Sequence, residues 1–168
     1  LNPSLTSEYF SGKQVVNLPD GSTVILNEDS QLSYAETSGQ QTREVIFSGE
    51  GYFDIAEDSE RPFIVHTDQV KTTVLGTAFN LIAYLDQSEV VVTVARGEVA
   101  VGDDKRNYDN ILPNQQLVVN KRTRKFEKGE VDLGQVLAWK EKFLILDGVT
   151  VAKAVELIGN RYQVKITL

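Results

Sequence analysis

The sequence has no cysteine and a single histidine, His66, in 168 residues. Without cysteine, a disulfide framework, a thiolate metal site and a cysteine nucleophile are all excluded. Transition-metal sites in β proteins generally need two or three imidazoles, or imidazoles combined with carboxylates. We therefore expect no metal centre and no cofactor, and we interpret His66 as a surface or partly covered residue without a catalytic role.

Basic charge and long apolar runs are also scarce. Lysine and arginine total 17 against 24 acidic residues, which gives a net charge of −7 and argues against DNA or RNA as the main partner. We interpret the basic run at 121–125 as a charged hairpin or edge strand. No run approaches the roughly 18 apolar residues of a membrane-spanning helix. Because the chain starts at Leu1 without methionine, we expect a piece of a longer protein, with residues 1–13 as a linker.

Residues 15–126 carry the pattern of an all-β domain. Short runs rich in β-branched and aromatic residues alternate with turns rich in glycine, aspartate, asparagine, serine and proline. These runs include STVILN, REVIFSG, GYFDIA, PFIVHT, AFNLIAYL and QQLVVN. Their close spacing predicts a β-sandwich or roll of many short strands, and the apolar run EVVVTV predicts a strand covered on both faces. We assign this all-β domain to residues 14–130.

The tail, residues 131–168, has a different pattern. Residues 133–141 predict a short helix, FLIL predicts a strand, and Thr150 is a suitable N-cap for a helix over VAKAVELIG. Gly159-Asn160 is a signal for the end of that helix, and YQVKITL alternates as a strand does. The pattern therefore predicts a small β-α-β module. Such a unit leaves one strand edge and one sheet face unfinished, so we expect it to be truncated or completed by another element or chain.

Signs of catalytic chemistry are few. The acidic residues of DIAEDSERP belong to an expected turn, and no Gly-x-Ser-x-Gly elbow surrounds any serine. One exception is Gly76-Thr77, inside the strand-like run VKTTVLGTAFNL. A glycine there can mark a β-bulge or a place where another backbone packs closely. Alternatively, the Thr77 hydroxyl could attack the carbonyl carbon of Gly76, so that the amide becomes an ester that water cleaves.

Several stretches together resemble the FecR-like family, the ferric-citrate-regulator type of anti-sigma factor. The matching pieces, in the family's order across most of residues 14–120, are LPDGSTVILNEDS, GEGYFDI, PFIVHT, VLGTAFN and LPNQQ. The run WKEKFLILDGVTVAKAVELIGNRYQVKI resembles the C-terminal region of Bacteroidetes members, which is related to small signalling modules of secretins and outer-membrane receptors. We therefore treat residues 131–168 as a partial copy of that module. Asn114 stands where the family often has glycine, and so does Lys142, which affects only local turns.

The resemblance implies a signalling protein rather than an enzyme. It implies the periplasmic sensor region of a single-pass inner-membrane anti-sigma factor, which binds the signalling domain of an outer-membrane TonB-dependent transducer. The cytoplasmic part of the full-length protein would bind an extracytoplasmic-function sigma factor. Some family members cleave themselves at a Gly-Thr bond, and the resemblance places that bond at Gly76-Thr77. We expect the transducer contact in the tail, at Trp139, Phe143, Ile145, Val155, Tyr162 and Val164.

A second hypothesis is a carbohydrate- or ligand-binding β-domain. It would line a concave site with Trp139 and tyrosines such as Tyr52 and Tyr84. Aromatic rings buried in the core would favour the signalling hypothesis, whereas exposed and aligned rings would favour ligand binding.

Overall fold

The computed structural model describes residues 7–35, 40–141, 150–163 and 165. Within them the chain forms a series of β-strands followed by short helices. The strands are β1 Ser7–Ser11, β2 Gln14–Asn17, β3 Thr23–Leu26, β4 Gln31–Ala35, β5 Arg43–Asp54, β6 Phe63–His66, β7 Lys71–Val74, β8 Ala78–Ala83, β9 Glu89–Arg96, β10 Val99–Gly102, β11 Asn107–Ile111, β12 Gln115–Asn120 and β13 Phe126–Glu130. The helices are α1 Leu133–Val136, α2 Ala138–Glu141 and α3 Val151–Tyr162.

The strands make two layers that share one long strand, β5. The first sheet has the order β1-β4-β5-β6-β7-β10-β11, and the second has the order β2-β3-β5-β8-β9-β12-β13. Neighbouring strands are antiparallel except β5 and β6, which run parallel. The mainly β sandwich or roll predicted from the sequence is confirmed.

Strand β5 changes sheets at Gly49. This glycine has a φ of +107°, and a Cβ atom on it would collide with Ser30. The Ser30 hydroxyl donates to Glu50 O and accepts from Glu50 N, each at 2.9 Å, which replaces the ladder bonds lost at the bend. Glycine is needed because the backbone is left-handed and the neighbouring chain lies directly against it.

The core lies between the two layers. Strand β5 alternates buried and more exposed residues along its length, as expected for a strand with one face on the core. Phe53 is the centre of an aromatic cluster: its ring stacks on Phe79 and meets Phe47 edge-on, both with centroids 5.1 Å apart. Such contacts add to the hydrophobic stabilisation from area burial alone.

The β-domain differs from the sequence interpretation in two places. Residues Ser7–Ser11, inside the expected linker, form β1 and pair with β4. Gly76-Thr77 does not lie within a strand: it lies in a bend between β7 of the first sheet and β8 of the second. The expectation of a strand there was wrong because the apolar run VKTTVLGTAFNL continues through a crossover from the first sheet to the second.

The tail shows a small helical part. The helix expected over 133–141 is interrupted at Leu137, which separates α1 from α2. Thr150 is the N-cap of α3, as predicted, and its hydroxyl accepts from Lys153 N at 3.2 Å. The predicted helix end at Gly159-Asn160 was wrong.

Helix α3 ends instead after Tyr162, because Gln163 takes the left-handed conformation that caps a helix. Tyr162 is therefore helical rather than the start of a strand. The FLIL run and most of the last predicted strand lie outside the described residues. No helix among the described residues is long and apolar enough to cross a membrane.

Candidate functional site

The Gly76-Thr77 bond lies in a crossover held on both sides by the loop after β5. Asp58 N donates to Leu75 O at 2.9 Å, and Ile55 N donates to Thr77 O at 2.8 Å. The carbonyl groups before and after Gly76 are therefore both fixed by hydrogen bonds. The Gly76-Thr77 bond lies at the centre of a short segment with little freedom to move.

Gly76 is required by a close backbone approach. A Cβ atom on it would lie 2.6 Å from the Cα of Glu57. On another side lies Gly97, with a φ of +83°, where a Cβ atom would lie 2.7 Å from Thr77 Cγ2 and 3.2 Å from Gly76 O. Three chain segments thus meet at this bond, and two of them need glycine. This explains the glycine by packing, one of the two interpretations that the sequence left open.

The Thr77 side chain carries the hydroxyl that the self-cleavage interpretation requires. Thr77 is 3% exposed, and within the part of the chain that the structure describes its Oγ1 has no hydrogen-bond partner. A buried hydroxyl without a partner costs free energy, so its retention calls for a reason. A cavity of about 430 Å³ opens over the bond, and its lining includes Glu57, Thr73, Gly76, Thr77, Glu98 and Asn110.

Arg43 connects the loops around this bond, and the sequence interpretation missed it. Its guanidinium donates to Asp20 Oδ2 and Ala56 O, each at 2.8 Å, and to Leu75 O at 3.2 Å. The Arg43 and Asp20 side chains are only 4% and 7% exposed. A signal for this role was present: strand alternation places Arg43 on the same inward side as Val45.

Trp139, an expected partner contact, packs against the protein's own second sheet. Its Nε1 donates to Asn80 Oδ1 at 3.0 Å. The next residue, Lys140, places its Nζ 4.8 Å from the centre of the Tyr52 ring. Tyr52 and Asn80 are direct neighbours on β5 and β8. This segment is therefore anchored to one small region of the second sheet.

The other expected contact residues are divided between α3 and the part of the chain outside the described residues. Val155 is half-buried and Tyr162 is 63% exposed, and both lie on α3. Helical spacing puts Val155, Ile158 and Tyr162 on one side of α3, opposite Lys153 and Glu156. Phe143, Ile145 and Val164 lie outside the described residues.

The aromatic residues of the ligand-binding hypothesis do not form one exposed row. Tyr52 is half-buried beneath Lys140, and Trp139 is half-buried and bonded to Asn80. Tyr84 is also half-buried and donates its hydroxyl to Glu28 O at 2.9 Å. Each ring is engaged by protein groups. Among the described residues no cluster of three or more histidine and acidic side chains could hold a metal ion.

Hydrogen bonds lower the pKa of two carboxyl groups, those of Glu44 and Asp103. His66 Nε2 is 2.7 Å from Glu44 Oε2 on the exposed face of the first sheet. A hydrogen bond from Thr42, and then one from His66, lowers the pKa of Glu44. At the β10–β11 turn, a 2.5 Å hydrogen bond from Tyr108, together with backbone N–H donors, lowers the pKa of Asp103 to about 2.

Comparison with known proteins identifies the family. Residues 9–100 match the family model described as FecR protein, which is more than half of the chain. The chain therefore belongs to the FecR family, the class that contains the ferric-citrate-regulator type of anti-sigma factor. A comparison with curated proteins gives no match.

Two crystal structures of candidate anti-sigma factors from Parabacteroides distasonis ATCC 8503 are similar to this chain. The first, at 2.50 Å resolution, has a TM-score of 0.76 and 29% sequence identity over 94% of this chain and 75% of that one. The second, at 1.65 Å resolution, has a TM-score of 0.75 and 29% identity over 93% of this chain and 75% of that one. The similarity therefore includes much of the helical tail as well as the β-domain.

Proposed function

We propose that this chain is the periplasmic sensor region of a single-pass inner-membrane anti-sigma factor. In this proposal it binds the signalling domain of an outer-membrane TonB-dependent transducer. That contact controls an extracytoplasmic-function sigma factor held by the cytoplasmic part of the full-length protein. The observation that carries the proposal is the match of residues 9–100 to the FecR family.

Helix α3 offers the surface for this contact. It is amphipathic, no described side chain on it is fully buried, and Tyr162 is exposed at its end. An amphipathic helix binds a protein partner through residues spaced three, four and seven apart, as Val155, Ile158 and Tyr162 are. The opposite side carries the Lys153–Glu156 ion pair at 3.0 Å, which suits a solvent-facing surface.

The test is binding of the full 168-residue chain to the signalling domain of a TonB-dependent transducer from the same organism, measured by titration calorimetry. We expect a specific complex. Tyr162→Ala should weaken it by about tenfold or more, because exposed aromatic anchors often contribute 1–2 kcal/mol or more to binding. Lys153→Ala, on the other side of α3, is the matched control and should leave the affinity nearly unchanged. An unchanged affinity in both variants would remove α3 from the interface.

We propose self-cleavage at Gly76-Thr77 as a second activity, which the buried, unpartnered Thr77 hydroxyl supports. Thr77 Oγ1 attacks the Gly76 carbonyl carbon, the C–N bond breaks, and the hydroxyl proton passes to the released amine. Water then hydrolyses the ester, which leaves a Gly76 carboxylate and restores the Thr77 hydroxyl. No oxidant, reductant or metal is needed for this sequence of steps.

Self-cleavage is tested by mass spectrometry under denaturing conditions. The fragments 1–76 and 77–168 should stay together in the native state, because β5 of the first pairs with β8 of the second from Gly49 to Asp54. We expect both fragments in the wild type, neither in Thr77→Ala, and restoration in Thr77→Ser. A wild-type chain that stays intact after prolonged incubation would contradict this activity and leave the sensor proposal standing.

A further inference from the structure

A polar row lies beneath the segment that follows β13. Tyr52, Asn80, Thr93 and Gln116 are successive cross-strand neighbours on the second sheet. Asn80 points away from the core, since its neighbours Phe79 and Leu81 are the core residues of β8. Asn80 and Thr93 are nevertheless only 1% exposed. Residues 131–141, which we call the strap, contribute to this cover through contacts of α1 with β9 and of Trp139 with Asn80.

The strap is anchored to the second sheet at both of its ends. Its first residue, Val131, donates its N–H to Asn114 O at 3.0 Å. Its other end is held by the Trp139–Asn80 hydrogen bond and by Lys140 over the Tyr52 ring. No residue of α1 or α2 is fully buried, and each helix has only four residues. Helices this short have little stability of their own, so the strap depends on these anchors.

The chemistry of the covered row favours reversible docking. A permanently covered sheet face is normally apolar, because a buried polar group costs free energy unless it is hydrogen-bonded. Asn80 can exchange its bond to Trp139 for bonds to water when the strap leaves. Thr93 keeps its 3.0 Å hydrogen bond to Gln116 within the sheet in either state. Opening would therefore expose groups that water satisfies.

We propose that the strap is a reversible latch, closed by the Trp139–Asn80 hydrogen bond, whose opening frees the tail from the β-domain. Local opening of this kind is expected for a segment of short helices in which no residue is fully buried. A partner that binds α3 better in the open state shifts the latch toward opening. This last step rests on the proposed function, whereas the latch itself does not.

Trp139 is the only tryptophan of the chain and reports directly on the latch. In Asn80→Ala we expect its emission to shift to longer wavelength and its quenching by acrylamide to increase, with the far-ultraviolet circular dichroism unchanged. Asn110→Ala, at an exposed asparagine of β11 in the first sheet, is the control and should leave both signals unchanged. Identical emission and quenching in the wild type and a folded Asn80→Ala would overturn the latch.

Hydrogen exchange of the wild type provides a measurement that needs no variant. Strap amides at 133–141 should exchange through an opening much more frequent than that of β8 and β9. Exchange of the strap only at the rate of those strands would show a permanent part of the domain and overturn the proposal. Trp139→Phe keeps a ring but loses the donor, so its strap amides should exchange faster than those of the wild type.

Hydrogen exchange in the presence of the partner separates the latch proposal from the proposed function. When the transducer's signalling domain is added and calorimetry shows a complex, strap amides should exchange faster than in the free chain. A complex that leaves their exchange unchanged or slower contradicts the coupling of the latch to the partner. Absence of any complex contradicts the proposed function, while rapid intrinsic exchange of the strap still supports the latch.

Discussion

Trp139 and Asn80, 59 residues apart in the chain, are joined by a 3.0 Å hydrogen bond from the indole Nε1 to the amide Oδ1. The bond ties the start of the tail to the outer side of the second sheet. Trp139, which the sequence suggested as a partner contact, therefore also contacts the chain's own β-domain. The surface that we propose for the transducer is centred on α3, where Val155 and Tyr162 lie.

The buried Arg43–Asp20 pair should be the most sensitive point of the loop network around Gly76. Arg43→Ala leaves Asp20 as a buried charge without its partner, and we expect a loss of about 3–5 kcal/mol in the free energy of unfolding. Arg96→Ala is the control, because the Arg96 and Asp54 side chains are 61% and 51% exposed. An exposed pair contributes only about 0–1 kcal/mol. Urea denaturation measures both, and similar losses for the two variants would argue against the network.

Gly76→Ala should destabilise the domain whether or not the bond is cleaved. Its Cβ atom would lie 2.6 Å from the Glu57 backbone, and overpacking of this kind costs about 1–3 kcal/mol. Gly129→Ala on β13 is the control, since nothing lies within 4 Å of its Cβ position. Thermal unfolding compares the two. If Gly76→Ala is as stable as Gly129→Ala, close packing does not explain Gly76.

Thr77→Val tests what the buried hydroxyl costs. The two side chains have nearly the same shape, so removal of an unpartnered hydroxyl should stabilise the domain by roughly 1 kcal/mol. Thr72 has the same kind of buried, unpartnered Oγ1 in the described structure, and Thr72→Val should give a similar gain. Only Thr77→Val should also abolish the two fragments. Loss of cleavage in Thr72→Val would show that stability, rather than the nucleophile, decides the outcome.

Asp103 predicts a pH dependence of stability. Its pKa is about 2 in the folded protein, mainly because of the hydrogen bond from Tyr108, and about 3.9 in an unfolded chain. The ionised form is therefore favoured by folding, and its contribution is present above about pH 4 and lost as the pH falls through 2. Asp103→Asn should lower the thermal midpoint at pH 7. The difference from the wild type should shrink toward pH 2, and a constant difference would contradict this assignment.

The sequence predicts the β-domain well because the strands are short, alternating and bounded by turn residues. It also predicts the 121–125 hairpin loop between β12 and β13 and the Thr150 cap, since both depend on neighbouring residues. Docking of Trp139 on Asn80 is a long-range contact with no local pattern, so it was missed. The end of α3 was misplaced because Gln163 adopts a left-handed conformation that glycine usually supplies.

At the Gly76-Thr77 crossover the sequence alone does not distinguish two explanations. The glycine indicates either a close approach of another backbone or a bond that reacts. Only the positions of Glu57 and Gly97 show that packing requires the glycine. Close packing and self-cleavage are compatible explanations. Hydrogen bonds to Leu75 O and Thr77 O fix the backbone around the bond, and an acyl shift also requires a fixed orientation.

We propose that this FecR-family chain binds the signalling domain of a TonB-dependent transducer. Titration calorimetry of the full chain with such a signalling domain from the same organism is the decisive measurement. We expect a one-to-one complex that Tyr162→Ala weakens by about tenfold and Lys153→Ala leaves nearly unchanged. No detectable complex between the two folded proteins at high micromolar concentration would contradict it.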